Sequence, residues 1–206
     1  MGMALVLGLG IFSGPAAACH NGVERRVVPL TRLVARAARA ISRERPTEAV
    51  SLAGRAIRRI RSQRRSRRSR LLMNRSKRIL ALATVRLDGA VDSERFIVRA
   101  SMDATAREAS LRWAVGILEY AFSEDGGPVA TARYAEALAH FPAQRVRARS
   151  LLRRLHASDT MPGAGGYRVL AEVCDDETDR AEALALCRER AGARAPSLCV
   201  VRSPGG

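Results

Sequence analysis

From Pro29 onward, apolar residues recur every three or four positions, the spacing that lines one face of an α-helix. Leu30, Leu33/Val34, Ala37 and Ile41 form one stripe, and Val50, Ala53, Ile57 and Ile60 form the next. Between them Pro46-Thr47-Glu48 opens the second helix. Proline suits a first turn, and a carboxylate there complements the macrodipole. A third helix is predicted over 69–87, with Leu72, Ile79, Leu80 and Ala83 inward. A fourth is predicted over 104–122, with Leu111, Ala114/Val115, Leu118 and Phe122 inward. The intervening DGAVDSERFIVRASMD, residues 88–103, keeps no period and reads as a loop or short connector.

The sequence SEDGGP, residues 123–128, stops the fourth helix, and four shorter helices follow. Residues 129–140 show Ala130, Tyr134 and Leu138, with Phe141 just beyond; residues 143–156 show Ala148, Leu151/Leu152 and Leu155. SDTMPGAGG, 158–166, is a turn before a helix over 167–174 with Leu170 and Val173 inward. DDETD, 175–179, caps the last helix, 180–191, with Leu184 and Ala191 inward. Few stretches alternate as half-buried strands should. Eight helices with mostly short connections predict four antiparallel hairpins.

Small residues repeat at a long period. Pro162 and Pro196 are 34 apart, Ala148 and Ala183 are 35 apart, and Ala135 and Ala171 are 36 apart. Such a period marks stacked helix pairs. YAEALAHFP with ARSLLRRL, and VLAEVC with AEALALCRERAGARAP, resemble tetratricopeptide repeats. Tyr134-Ala135 and Leu170-Ala171 match the large-small pair of the first helix, and Ala148 and Ala183 match the small residue of the second. Pro196 falls one residue from the usual closing place. The resemblance covers 129–196 well and 31–60 in part, where Ala37, Ala49 and Ala53 fit but Arg36 stands at the large position. It is poor over 69–122, where the connector is too long. The chain also looks like exported repeat proteins of GC-rich bacteria. The expected fold is therefore all-α, with antiparallel helix hairpins stacked as a short α-solenoid.

The resemblance implies a protein or peptide partner on the face of the first helices. Carried over by position, it points to Arg133, Glu136 and His140 in one repeat and Arg168 and Glu172 in the next. An ordinary solvated surface is the competing reading. The same small-residue pairing sets Ala171 opposite Ala183, which places Cys187 opposite Tyr167 and Cys174 opposite Arg180. Cys174 and Cys187 are then about seven residues, or roughly 10 Å, out of register, too far for a disulfide. Cys187 with Cys199 is the better disulfide pair, leaving Cys174 as a buried thiol; the competing reading keeps all thiols reduced in a cytoplasmic protein.

Charge changes the picture locally. Of 36 basic residues, 35 are Arg. Residues 23–100 carry 22 basic and 6 acidic groups, whereas 101–206 carry 14 of each. The excess thus concentrates in RAIRRIRSQRRSRRSRLLMNRSKR, residues 55–78, with 12 cations and no acid. Arg58, Arg59, Arg61, Arg64, Arg65, Arg67 and Arg68 are its candidate anion contacts. Three readings stand: phosphate binding, contact with an anionic envelope surface, or a solvated junction whose Arg stems cover apolar surface. The run holds no aromatic residue, so it offers no base-stacking platform.

The first residues set the compartment expectation. Met3 to Phe12 are apolar, Ser13-Gly14-Pro15 breaks the run, and Ala16-Ala17-Ala18-Cys19 follows. That is the layout of a signal peptide over 1–18. Cys19 also resembles the lipid-bearing cysteine of a bacterial lipobox, although no basic residue precedes the run and Ala16 stands where Leu is usual. The expected place is the periplasm or an outer-membrane anchor, where disulfides are permitted. The alternative is a cytoplasmic protein with 1–18 as a buried helix.

Candidate chemistry adds little. His20, His140 and His156 have no metal-ligand or catalytic spacing, and no H-E-x-x-H, G-x-S-x-G or P-loop occurs. PGAGGY, 162–167, reads as a turn rather than a phosphate cradle. Asp175, Asp176, Glu177 and Asp179 read as a helix cap rather than a cation site, since they lack calcium-loop spacing. No enzyme, metal or cofactor is expected. The organisation expected is a signal over 1–18, a short segment over 19–28, a basic helical region over 29–122 with its Arg-rich junction near 58–70, repeat hairpins over 123–196, and a tail over 197–206. The expected function is a non-enzymatic helical-repeat scaffold or interaction module of the bacterial cell envelope. The alternative is a cytoplasmic nucleic-acid binder using 55–78.

Overall fold

A computed structural model describes residues 29–63 and 66–201; the expectations for the signal, Cys19, Arg64 and Arg65 lie outside them. The fold is all-α. Its helices are α1 (Leu30–Ser42), α2 (Pro46–Arg61), α3 (Arg67–Arg86), α4 (Ala104–Asp125), α5 (Pro128–Leu138), α6 (Arg145–Ala157), α7 (Ala164–Val173) and α8 (Glu177–Ala191). A helical turn at Ala195–Leu198 follows. Each helix packs on the next, and α1 with α3, α3 with α5 and α5 with α7 also touch. This is a stack of antiparallel hairpins, with the odd-numbered helices side by side.

Small side chains permit that stacking. Ala37, Ala49, Ala53, Ala135, Ala148 and Ala171 are fully buried. They sit where two helix backbones approach, and burying an Ala there costs no side-chain entropy. The remaining apolar residues fill two clusters. One joins α1, α2 and part of α3; the other joins α4 to α8. They meet along α3, which gives Leu80 and Leu82 to the first and Ala81 and Val85 to the second. Because α1, α2, α4 and α5 all touch α3, every residue from Ile79 to Val85 is buried. A helix covered on all sides loses its amphipathic stripe.

Caps explain where helices begin. Ser66 Oγ accepts from the Ser69 backbone N–H at 3.0 Å, so α3 starts two residues before the apolar pattern does. Asp176 Oδ1 accepts from Thr178 and Asp179 at 2.8 and 3.0 Å, and α8 starts at Glu177 rather than 180. The α7 helix begins at Ala164, inside the segment read as a turn, and so brings Tyr167 into the core at 2% exposure. In α4 the inward place falls on Ser110 rather than Leu111, which is half-buried; the Ser110 hydroxyl donates to Val91 O at 2.9 Å.

The long connector is folded. Strands β1 (Val91–Asp92) and β2 (Ile97–Val98) form a minimal antiparallel hairpin. At its tip, Asp92 Oδ1 accepts from the Glu94 and Arg95 N–H groups. Phe96 takes φ 59° and is 5% exposed. It sits directly on Gly54 of α2, where an added Cβ would lie 2.3 Å from the Phe96 Cβ. The connector is long because it seals the open side of α2 and α4 rather than merely joining helices.

Candidate functional site

The adjoining faces of α1, α3, α5 and α7 carry the charged residues that matter. On α3, Leu71, Arg75, Arg78, Leu82 and Arg86 recur at three- and four-residue steps, the spacing of one helix face. On α5, Val129, the neighbours Ala132 and Arg133, and Glu136 share one face in the same way. Between them lies a groove of two adjoining lobes that share Ile41, Leu82 and Arg133. The first lobe, ≈ 230 Å³, reaches Arg86, Glu136 and the glycines before and within the first turn of α7. The second, ≈ 360 Å³, runs past Arg75, Arg78, Leu71 and Glu124.

The first lobe is floored by an ion-pair ladder. Glu136 is 7% exposed. It accepts from Arg86 Nε at 3.0 Å and Nη2 at 3.3 Å, and from Arg168 Nη2 at 3.3 Å. Arg86 Nη1 donates in turn to Ile41 O at 3.0 Å and Glu44 Oε1 at 2.9 Å. Arg168 also pairs with Glu172, one helical turn away. Burial pushes the Glu136 carboxyl up, but the Arg86 and Arg168 guanidiniums outweigh it, and the group stays ionised below the usual carboxylate range. Burial likewise opposes the charge on Arg86, and the Glu136 and Glu44 carboxylates more than offset it. His140 Nδ1 stands 3.3 Å from Asp88 Oδ1 at the edge of this network.

Of the five residues that the repeat resemblance pointed to, Glu136, His140, Arg168 and Glu172 therefore meet partners within the chain. Arg133 differs. It makes no hydrogen bond or ion pair with a described residue, although it is partly buried. Burial lowers its pKa, and the nearby Arg86, Arg75 and Arg78 lower it further against the pull of Glu136. Arg86, Glu44, Arg75 and Arg78 belong to this site and were not singled out from the sequence. The i, i+4, i+7 recurrence of Leu71, Arg75 and Arg78 along α3 was the available signal.

The Arg-rich junction divides by role. Arg58 and Arg61 at the end of α2 lie over the Phe96 ring, 5.7 and 5.4 Å from its centroid. Arg58 also donates to Arg95 O at 3.2 Å. These two roof the hairpin plug as cation–π partners. Arg59 is partly buried; Arg67 and Arg68 are exposed in the first turn of α3. The cations at that N-terminus oppose the helix dipole, so a solvated position suits them.

At the other end, Cys187 and Cys199 are disulfide-bonded with Cα atoms 5.9 Å apart. Cys174 is a buried free thiol, and burial, then Asp179, pushes its pKa up. The acidic cluster is taken up internally: Asp176 caps α8, while Asp175 pairs with Arg149, Asp179 with Arg153 and Glu177 with Arg180. Two of those pairs tie α6 to the start of α8. Among the described residues no group of His, Cys, Asp and Glu is arranged to hold a metal ion, and no helix is long and apolar enough to cross a membrane. Comparison with family models, with curated proteins and with solved structures finds no match to this chain.

Proposed function

We propose that the chain is a non-enzymatic helical-repeat interaction module, of tetratricopeptide type, that captures a peptide segment of a partner protein. The observation that carries this reading is the groove between α3 and α5, whose floor is fixed by the Glu44–Arg86–Glu136–Arg168 ladder. A preformed groove lets a partner bind without first ordering the site. The place of action is the bacterial cell envelope, with Cys19 as a point of lipid attachment. The Ala-Ala-Ala-Cys pattern and the Cys187–Cys199 bond both favour an oxidising compartment.

A displayed peptide library selected on the full-length protein tests the reading. Selected peptides should bind in solution, and Leu71→Glu/Val129→Glu, which puts carboxylates at the exposed apolar positions of the two lobes, should abolish binding while the helical circular dichroism is retained. If no peptide is selected, while RNA binds in a salt-dependent way that Arg67→Ala/Arg68→Ala removes, the nucleic-acid alternative replaces it. Mass spectrometry of protein recovered from cell fractions tests the compartment: a chain starting at Cys19 is expected, and an intact Met1 on the functional protein overturns export.

A further inference from the structure

We propose that the second lobe of the groove recognises acidic peptide segments, with Arg133 receiving a carboxylate and Arg75 and Arg78 flanking it. This rests on the groove being an interaction surface, and adds the chemistry of what enters it. Three cations, Arg75, Arg78 and Arg133, line the lobe against one acid, Glu124. Glu124 is already engaged, by Arg78 at 3.3 Å and by the Tyr120 hydroxyl at 2.7 Å. Arg133 and Arg75 have no ion-pair partner among the described residues. The first lobe is different, because its Arg86 already meets Glu44 and Glu136. Within the groove, the cations without an ion-pair partner among the described residues therefore lie in the second lobe, with Arg133 at its boundary with the first.

A partly buried guanidinium without an ion-pair partner lacks the direct protein contacts that would offset its desolvation. A carboxylate supplied from outside meets that need with paired, charge-assisted hydrogen bonds. Two of the large apolar residues exposed in this protein stand at the same groove: Leu71 at 64% and Val129 at 46%. They fit apolar side chains next to the acid in sequence. No aromatic residue lines the lobe, which disfavours nucleic-acid bases. The partner that matches is a segment in which Glu or Asp alternates with Leu or Val.

Fluorescence anisotropy with the full-length protein tests this, using a labelled eight-residue Leu-Glu repeat peptide and its Leu-Gln counterpart. The Glu peptide should bind about tenfold or more tightly than the Gln peptide, and Arg133→Met should erase that difference, as loss of a charge-assisted pair implies. Arg67→Ala/Arg68→Ala, which removes two cations outside the lobe, should leave it unchanged. The Glu peptide should also raise the melting temperature of the wild type and not of Arg133→Met, which shows that the variant folds and has lost only the site. Equal binding of both peptides, blocked by Leu71→Glu/Val129→Glu, keeps the groove and overturns the acidic preference. Discrimination that survives Arg133→Met but disappears with Arg67→Ala/Arg68→Ala overturns the placement of the site.

Discussion

Glu136 of α5 joins Arg86 of α3 across fifty residues of chain, with two of its hydrogen bonds made to that one guanidinium. The pair lies where the two apolar clusters meet, so it couples the N-terminal hairpins to the C-terminal ones. Buried ion pairs are costly to break from one side, because the remaining charge is stranded. Glu136→Ala leaves Arg86 still paired with Glu44 and Arg168 still paired with Glu172. It should therefore cost less than the about 3–5 kcal/mol of a fully stranded buried charge, but more than about 1 kcal/mol. Removing Glu108, whose pair with Arg112 is exposed on α4, should cost less than about 0.5 kcal/mol. Urea midpoints at unchanged slope measure both.

The same ladder sets an acid limit. Glu136 has a folded pKa below its ordinary value of 4.5. A group depressed in this way contributes its stability in full above the unfolded pKa and loses it as pH falls through the folded one. Stability should therefore hold at neutral pH and decline below about 4.5, where the unfolded chain takes up the proton first. Glu136→Gln should start less stable and show a shallower decline across that acid range in denaturation series. An unchanged acid slope in this variant would assign the limit to other carboxylates.

Tyr134 sets an alkaline limit. Its hydroxyl donates to Glu119 Oε1 at 2.6 Å, and burial together with that carboxylate pushes its pKa up to about 12. The unfolded chain ionises this phenol near its ordinary value of 10.0. A raised folded pKa means the contribution is complete below the unfolded value and is lost as pH climbs through the folded one. Part of the alkaline unfolding between 10 and about 12 should thus disappear in Tyr134→Phe. Phenolate absorbance followed against helical signal gives the reading.

The helices were readable from the chain because their stripes are local: a three- or four-residue recurrence needs only the neighbouring turn. Their starts were less so, because α3, α7 and α8 begin at Ser66, Gly163 and Asp176 caps ahead of the first apolar residue. The hairpin at 88–103 was missed as structure since two-residue strands leave no alternation to detect. Arg133 and Glu136 came forward through their place in a repeat. What each does was hidden, because Glu136 finds Arg86 and Arg133 finds no carboxylate only once α3 lies beside α5. Arg58 and Arg61 could be read only as anion contacts or as stems over some apolar surface; that the surface is Phe96 depends on a residue 35 or more positions away.

Opening the Cys187–Cys199 bond should weaken the end of the stack. The closed loop spans a sequence separation of 12, for which restricting the unfolded chain is worth about 2–4 kcal/mol. Thermal melts with and without reductant should differ accordingly, and Cys199→Ser should melt like the reduced wild type. Cys174 should resist alkylation in the native protein whatever the redox state, since it is 4% exposed and its thiol is held protonated. Alkylation mapped to Cys174 in the folded, unreduced protein would contradict its burial.

Two glycines in helices give opposite predictions from the same substitution. Gly116, midway along α4, has nothing within 4 Å of an added Cβ. Gly116→Ala should therefore stabilise by about 0.5–1 kcal/mol, through helix propensity and a less free unfolded chain. Gly54 in α2 would gain the same preference, but its new Cβ would stand 2.3 Å from the Phe96 Cβ and 3.0 Å from Cγ. Those atoms lie next to the backbone of a residue already at φ 59°, so they have little freedom to withdraw. Overpacking of this kind costs about 1–3 kcal/mol, which outweighs the propensity gain. Gly54→Ala should destabilise, and by lifting the hairpin it should also remove the ring from under Arg58 and Arg61. Hydrogen exchange would then show the amides of 91–98 losing protection while those of α5 to α8 keep theirs.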